Sequence, residues 1–290
     1  MAEALVWRGY GQSALDRQYN SRGTVADAGI YLRQYAARTE SAKASLACHE
    51  DLRYGEGPDD RLDLYPAAAA AAPVLVFFHG GDWRALSKND SGFAAPAFVA
   101  SGAVFVALDF TQVPASTLPA MGAQVRRALG WLSQNVAAYG GDPARIHIAG
   151  HSSGANLVGQ CLMAQPAGAS GVFGISPELI KSALMIGGLG DLEPVRLSFR
   201  NQQLNLTPEV VRRASLLHQN PGTGCPLLVA VGEKETDDYR RQSLELADYW
   251  RGHGNAATLM ELEDRHHFDA VLEWADPASG FFRVSRAMLD

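Results

Sequence analysis

Short apolar runs alternate with helical patterns along most of the chain. The runs are rich in Val, Ile, Leu and Phe and cover residues 74–78, 103–108, 146–149, 183–186, 227–231 and, more weakly, 258–262. Runs of this length and composition are typical of strands buried on both faces of a parallel sheet. Over residues 61–65, polar and apolar residues alternate instead, which predicts a strand with one solvated face.

Helical patterns fill the stretches between these runs. After Leu118, apolar residues recur every three or four positions and form one stripe, at Met121, Val125, Leu129, Leu132, Val136 and Tyr139. The sequence Gly-Gly-Asp-Pro at 140–143 then ends this helix. Further helices are predicted at 27–47 and 238–251, whereas the six alanines between Pro66 and Pro73 are predicted to form a connecting loop.

This alternation predicts an α/β fold with a mostly parallel central sheet and helices on both faces, joined by right-handed crossovers. No stretch of the sequence reads as a linker between domains. We therefore expect a single domain over residues 1–290, with residues 1–50 forming a mainly helical N-terminal segment that packs near the site.

Composition narrows the class of protein. The chain has 290 residues, of which 47% are hydrophobic and 19% charged, as in ordinary globular proteins. Its net charge is −6 without a basic stripe, so a nucleic-acid partner is not expected. No apolar run of 18 residues exists, and the start of the chain lacks an apolar core of signal-peptide length, so no membrane partner is expected.

The cysteines also bear on location and cofactors. There are three, Cys48, Cys161 and Cys225, without a CxxC motif. An odd number at wide spacing argues against a disulfide framework or a zinc site. The default expectation is a cytoplasmic protein without a metal.

The sequence Gly150-His151-Ser152-Ser153-Gly154 directly follows the predicted strand 146–149. A strand, a sharp turn with G-x-S-x-G and a helix together form a nucleophile elbow, which raises its serine above the carboxyl edge of the sheet. Glycines are needed there because bulkier neighbours would clash in the strained turn. The simpler interpretation is a loop rich in Gly and Ser, but the strand–helix context favours Ser152 as a nucleophile.

A second motif, His79-Gly80-Gly81-Asp82-Trp83, ends the strand 74–78. Two glycines let the backbone approach a ligand and turn its N–H groups inward. An enzyme of acyl transfer needs such donors for the oxyanion of its tetrahedral intermediate, and the N–H that follows the nucleophile supplies another. The alternative is an ordinary strand–helix turn, with His79 as a structural hydrogen-bonding residue.

A serine nucleophile needs a base, and the base needs an orienting carboxylate. His266 and His267 follow the last predicted strand, where a base can reach the elbow, whereas His253 is better suited to a helix end. The acid should lie between the serine and the histidine in sequence. Several residues compete for that role on the residues alone: Glu233, Glu235, Asp237 and Asp238 after strand 227–231, and Asp191 after the strand before it. Asp237 and Asp238 also suit the solvated first turn of a helix with Thr236 as its N-cap.

Together these motifs resemble the α/β-hydrolase fold and, more narrowly, the kynurenine formamidase (arylformamidase) group of serine hydrolases, which is related to the hormone-sensitive-lipase-type esterases. The resemblance covers most of the chain. Besides His-Gly-Gly-x-Trp, Gly-His-Ser-x-Gly and the late His-Phe, it includes the segments 17–20, 61–65, 188–194 and 231–243.

Carried over residue by residue, the resemblance implies Ser152 as nucleophile, His267 as base and Glu235 as acid. Glu235 is a departure, because animal members usually have Asp at this position. The oxyanion donors match Gly80, Gly81 and Ser153. Trp83 matches a residue that either lines the substrate pocket or lies beneath the site as a structural residue.

The activity implied is cleavage of an aryl formamide, such as N-formylkynurenine, through an acyl-enzyme and without a cofactor. The alternative is a carboxylesterase for short acyl or aryl esters. A small-molecule substrate is the expected partner, and a homodimer is one option for the assembly. Two other classes of protein are alternatives. One is a receptor on a hydrolase scaffold that has lost turnover. The other is a metalloenzyme that uses His266 and His267, but neighbouring residues in a loop are poor co-ligands.

Overall fold

The computed structural model of the chain describes residues 3–164, 175–176 and 178–290. The other residues of the predicted single domain lie outside the described residues. The described strands are β1 Leu5–Trp7, β2 Tyr10–Gly11, β3 His49–Arg53, β4 Arg61–Tyr65, β5 Ala72–Phe78, β6 Val104–Leu108, β7 Gly141–His151, β8 Ile180–Ile186, β9 Leu227–Gly232 and β10 Ala257–Leu262. Every strand predicted from the sequence is present. The expectation of one solvated face over residues 61–65 is wrong, because Asp63 and Tyr65 of β4 are buried and Asp63 pairs with two lysines, Lys43 and Lys88.

The described α-helices are α1 Gln12–Gln18, α2 Ala28–Ser45, α3 Ala95–Ala100, α4 Leu118–Asn135, α5 Ser153–Leu162, α6 Glu193–Leu197, α7 Asn201–Leu204, α8 Pro208–Ala214, α9 Asp237–Gly252, α10 Ala270–Trp274 and α11 Gly280–Ala287. The three helices predicted from the sequence correspond to α2, α4 and α9. The alanine segment is a loop up to Ala71, and its last alanine begins β5. None of the helices in the described ranges has the length and apolar character needed to cross a membrane.

Within the described residues, one sheet has eight strands in the order β10-β9-β8-β7-β5-β6-β4-β3. The strands from β10 to β6 pair in parallel, whereas β4 is antiparallel to both β6 and β3. Parallel pairing brings the carboxyl ends of β5, β7, β8, β9 and β10 to the same edge of the sheet. The residues predicted to carry chemistry follow these ends.

Most of the apolar runs are buried because helices cover both faces of the sheet, whereas in the edge strand β10 only Leu262 is buried. In β5, alternate side chains point to opposite faces: Val74, Val76 and Phe78 pack into one core, and Leu75 and Phe77 into the other. The first core takes side chains of α4, α5 and α9, and the second takes those of α2, α3, α10 and α11. Helices on both faces therefore hold the strands in place beneath the site.

Candidate active site

The serine of the elbow lies at the junction of β7 and α5. Its backbone has φ 55° and ψ −120°, a conformation that L-residues rarely adopt. A Cβ at Gly150 would lie 2.5 Å from the backbone of Gly154, and one at Gly154 would lie 2.1 Å from the carbonyl oxygen of Phe78. The two glycines are therefore required for the turn to pack against the end of β5. The Ser152 N–H is held by the carbonyl oxygen of Ile186, at 2.8 Å.

A chain of two hydrogen bonds joins Ser152, His267 and Glu235. The Nε2 of His267 lies 2.8 Å from the Oγ of Ser152, and its Nδ1 lies 2.6 Å from the Oε2 of Glu235. A carboxylate only accepts hydrogen bonds, so the proton on the ring belongs to Nδ1. Nε2 is then left as an acceptor for the hydroxyl proton of Ser152, which is the arrangement a general base needs.

The loop between β9 and α9 positions Glu235. The backbone N–H of Gly232 donates to its Oε1 at 3.2 Å, and the carboxylate is buried. Gly187, at the end of β8, provides the room: a Cβ there would lie 2.8 Å from Oε1 of Glu235 and 3.0 Å from Nδ1 of His267. Without a side chain at residue 187, there is room for a glutamate, which is one methylene longer than aspartate, to contact the imidazole.

The other candidate acids lie elsewhere. Asp191 pairs with His218 at 3.2 Å and accepts from the backbone of Glu193. Asp237 is exposed, as expected. The prediction that Asp238 also faces solvent is wrong, because its side chain is fully buried.

Contacts with the N-terminal segment explain the burial of Asp238. Its carboxylate accepts from the hydroxyl of Tyr19 and from Nε of Arg241. Thr236 occupies the N-cap position of α9 but does not cap the helix with its side chain; its hydroxyl donates to the carbonyl oxygen of Gln18. The side chain of Gln18 instead accepts from the backbone N–H of Asp238, at 2.9 Å.

The remaining histidines near the edge of the sheet have structural partners. His266 accepts from the backbone of Phe268 and lies edge-on to Tyr31. His79 is buried, stacks on Phe110 and contacts the carbonyl oxygen of Gly80. Of the adjacent pair 266–267, the structure brings only His267 to the serine.

His151, which lies inside the elbow, is hydrogen-bonded to the backbone of His267. Its Nε2 donates to the carbonyl oxygen of His267 at 2.8 Å, and the two rings are 4.8 Å apart. Burial, with a smaller contribution from the neighbouring His267, lowers the pKa of His151 to about 3. The ring is therefore neutral at ordinary pH and adds no charge beside the base.

The glycines after β5 approach the elbow closely. A Cβ at Gly80 would lie 3.2 Å from the Cβ of Ser152. Gly81 has φ 100°, and a Cβ there would lie 1.9 Å from the carbonyl oxygen of Ala85. Among the described residues, the backbone N–H groups of Gly80, Gly81 and Ser153 have no hydrogen-bond acceptor.

The position of Trp83 corrects its prediction as a substrate-binding residue. Its side chain is 1% exposed, packs in the core and is not part of the cavity wall. Its backbone N–H donates to the Oγ of Ser153 at 3.2 Å, and its carbonyl oxygen accepts from Val113 at 2.9 Å. A structural role beneath the site, the other reading of this motif, matches these contacts.

Comparison with known proteins agrees with this geometry. The BD-FAE family model matches residues 62–167, a stretch that contains the glycine motif and the elbow. A proposed thioesterase from Silicibacter sp. TM1040 has the same fold, with a TM-score of 0.80 and 24% identity over 93% of this chain and 98% of that one.

Sequence relatives point to a narrower group. Kynurenine formamidase of Danio rerio is 29% identical over 283 residues, which are 93% of this chain and 94% of that protein. The chain has the α/β-hydrolase fold and resembles the kynurenine formamidases over nearly its whole length. Esterase LipQ of Mycobacterium tuberculosis is also similar to it, with 28% identity over 81% of this chain and 58% of that protein.

The protein has a cavity of about 200 Å³ in front of Ser152. Its wall combines the carboxyl edge of the sheet with the N-terminal segment, the turn after β5 and the residues before α7. The lining residues are Tyr19, Asn20, Ser21, Arg22, Leu32, Tyr35, Gly81, Asp82, Arg84, Ala85, Leu86, His151, Ser152, Phe199, Arg200, His267 and Phe268. In the ranges that the structure describes, no group of three or more His, Cys, Asp or Glu side chains is placed to bind a metal ion.

Arg200 is not among the site residues predicted from the sequence. Its guanidinium is buried in the cavity wall. It lies 2.8 Å from Asp82, and it donates to the hydroxyls of Tyr239, at 3.2 Å, and Ser21, at 3.4 Å. Burial acts to lower the pKa of Arg200, but Tyr239 and Asp82 outweigh it, so the group stays charged. No motif surrounds Arg200, and only the folded chain brings its partners together.

Proposed function

We propose that this protein is a serine hydrolase that cleaves an aryl formamide, such as N-formylkynurenine, through a formyl-enzyme on Ser152. The observation that carries the proposal is the hydrogen-bonded chain from Ser152 through His267 to Glu235. It lies at the base of a cavity, beside backbone N–H groups that have no acceptor among the described residues.

In this mechanism the Oγ of Ser152 attacks the formyl carbon while Nε2 of His267 takes the hydroxyl proton. Glu235 holds the imidazole in the required tautomer and stabilises the imidazolium that forms. His267 then gives the proton to the leaving aryl amine. Water enters, loses a proton to His267 and attacks the formyl ester, which releases formate and restores Ser152.

The oxyanion of each tetrahedral intermediate is assigned to the N–H groups of Gly80, Gly81 and Ser153. Donors that are fixed before the reaction stabilise charge without reorganisation, and removing one such donor typically costs about 100-fold to 1,000-fold in kcat. The close approach of Gly80 to Ser152 supports this assignment, because it brings the glycine turn next to the serine side chain.

Similarity to a kynurenine formamidase over 93% of the chain supports a formamide substrate. The small cavity in front of Ser152, rimmed by Tyr19, Tyr35 and Phe268, fits a compact acyl group with an aromatic leaving group. A carboxylesterase is the second candidate, because Esterase LipQ is also similar. The same residues catalyse both reactions, which differ mainly in the leaving group.

The experiment is a direct comparison of kcat/KM for N-formylkynurenine and for p-nitrophenyl acetate, with Ser152→Ala as the control. A formamidase should prefer the formamide, and Ser152→Ala should remove the activity while the protein stays folded. Preference for the ester would favour the carboxylesterase. Turnover of neither substrate, with Ser152 unreactive toward a fluorophosphonate, would favour a binding protein.

We also infer that the chain works as one domain, since the sheet is continuous from β3 to β10 and takes strands from most of the sequence. A small-molecule substrate is the partner that the cavity suits. The cytoplasmic location, a role in tryptophan catabolism and a homodimer remain predictions from the sequence and its resemblance.

A further inference from the structure

The turn that carries the proposed oxyanion donors is strained. Gly81, Asp82 and Trp83 are consecutive and all have positive φ values, of 100°, 63° and 58°. Non-glycine residues adopt such conformations only where surrounding contacts enforce them. Trp83 is held by its burial and by backbone bonds to Ser153 and Val113. These contacts hold Trp83 but not the side chain of Asp82, so another contact must hold Asp82 at its positive φ.

The ion pair with Arg200 supplies that constraint. Nη1 of Arg200 lies 2.8 Å from Oδ1 of Asp82, and the guanidinium is almost wholly buried. The second cation near this carboxylate, Arg84, is more exposed and 3.7 Å away. Through Tyr239 and Ser21, Arg200 is also anchored to α9 and to the N-terminal segment. One guanidinium thus ties the turn to α9 and to the N-terminal segment, which forms part of the cavity wall.

The charge of Asp82 is a second reason why this pair matters. Asp82 follows Gly81 in sequence and lines the same cavity as Ser152. An unpaired carboxylate in this cavity would oppose the negative charge that develops on the carbonyl oxygen of the substrate. We propose that Arg200 is a positioning residue of the hydrolase: it fixes the turn at Asp82 and neutralises the Asp82 carboxylate beside the oxyanion site. This inference rests on the proposed function.

The test is a double-mutant cycle on Arg200 and Asp82, with kcat and KM measured for p-nitrophenyl acetate and N-formylkynurenine. Arg200→Met removes the buried cation and leaves Asp82 with only Arg84, at 3.7 Å. It should lower kcat roughly 30-fold, with little change in KM. Asp82→Asn removes the charge and should lower kcat only a few-fold. In the double variant, Asp82→Asn should restore kcat to about the level of the Asp82→Asn single variant.

Arg196→Met is the matched control. Arg196 pairs with Glu193 on α6 at the surface and is not part of the cavity wall. Its loss should leave kcat unchanged. Thermal unfolding of each variant shows how much of any effect is loss of stability, because a structural role alone would lower the Tm without rescue of kcat by Asp82→Asn.

Three outcomes would overturn the inference: unchanged kcat in Arg200→Met, a double variant in which the two losses add, or a higher KM with unchanged kcat, which would make Arg200 a substrate-binding residue. The rate at which a fluorophosphonate labels Ser152 separates this failure from failure of the proposed function. Wild-type protein that is not labelled at Ser152 overturns the proposed function and this inference with it. Normal wild-type labelling, with equal labelling of Arg200→Met, overturns the inference alone.

Discussion

Glu235 is a single side chain on which the proposed mechanism depends. It lies 2.6 Å from Nδ1 of His267, whereas Asp191 is engaged with His218. We expect Glu235→Gln to lower kcat by about four orders of magnitude, because an amide can hold the ring in the wrong tautomer and cannot stabilise imidazolium. Glu235→Asp should keep part of the activity, since the charge remains. Steady-state kinetics on the purified variants check this.

Asp191→Asn is the control for Glu235. It removes a buried carboxylate of the same sheet edge that has no contact with His267, so kcat should stay near the wild-type value. An active Glu235→Gln together with an inactive Asp191→Asn would place the acid after β8 and refute the assignment made here.

The two adjacent histidines, His266 and His267, differ in what they contact. His267 contacts Ser152, and His266 instead contacts the backbone of Phe268 and the ring of Tyr31. His267→Ala should abolish turnover, whereas His266→Ala should retain most of it. Rates for both variants, with circular dichroism to check folding, test the choice. Equal losses of kcat in two folded variants would contradict it.

At the scale of elements, the start of α9 depends on the N-terminal segment. Tyr19 donates to the carboxylate of Asp238, and Gln18 accepts from the backbone of the same residue. Asp238→Ala should therefore lower the free energy of unfolding by about 2–4 kcal/mol, because it leaves buried donors without their charged acceptor.

Asp237 is the matched control for Asp238, since it lies next to it in the first turn of α9 but is exposed. Asp237→Ala should change the free energy of unfolding by less than about 0.5 kcal/mol. Urea unfolding of both variants gives the comparison. Equal stability of the two would show that the buried contact with Tyr19 contributes little.

The strands and long helices are the elements that the sequence predicts best, because each has its own period of apolar residues. The run 74–78, for example, is apolar throughout since both faces of β5 are covered. The burial of Asp238 was not predictable in this way. An acid in the first turn of a helix normally faces water, and only packing against Tyr19, more than 200 residues away, buries it.

The residues of the candidate site also fall into two groups: those that short motifs identify and those that only the fold brings together. The elbow and the glycine turn are local, so their residues could be named from short motifs, and the structure places Ser152 and His267 in contact. Their catalytic roles remain predictions. Choosing Glu235 needed the family resemblance, and finding Arg200 needed the fold, because its partners come from three distant parts of the chain.

The fold as a whole should lose stability at low pH, and two buried histidines should contribute to this loss. Burial lowers the pKa of His147 to about 4 and that of His151 to about 3, from an ordinary value of 6.5. The unfolded chain therefore binds these protons at a higher pH than the folded chain. The part of the free energy of unfolding that depends on these two histidines being neutral is therefore complete above about pH 6.5. It is lost as the pH falls toward 4.

His147→Gln tests this dependence at a position outside the candidate site. Between pH 7.5 and pH 5, the variant should lose about 2 kcal/mol less free energy of unfolding than the wild type, whatever its stability at pH 7.5. His253→Gln, at the exposed end of α9, should show the wild-type pH dependence. Urea unfolding at the two pH values gives the slopes. Identical slopes for His147→Gln and the wild type would mean that His147 is not the acid-sensitive group.

The central claim is that the hydroxyl of Ser152 is the nucleophile of this hydrolase. Its most direct test is mass spectrometry of the protein after reaction with a fluorophosphonate, with peptide mapping of the adduct. If Ser152 is the nucleophile, one adduct per chain is expected, located on Ser152 and not on the neighbouring Ser153, and none in Ser152→Ala. An adduct on another residue, or an unlabelled wild-type protein that still hydrolyses N-formylkynurenine, would contradict it.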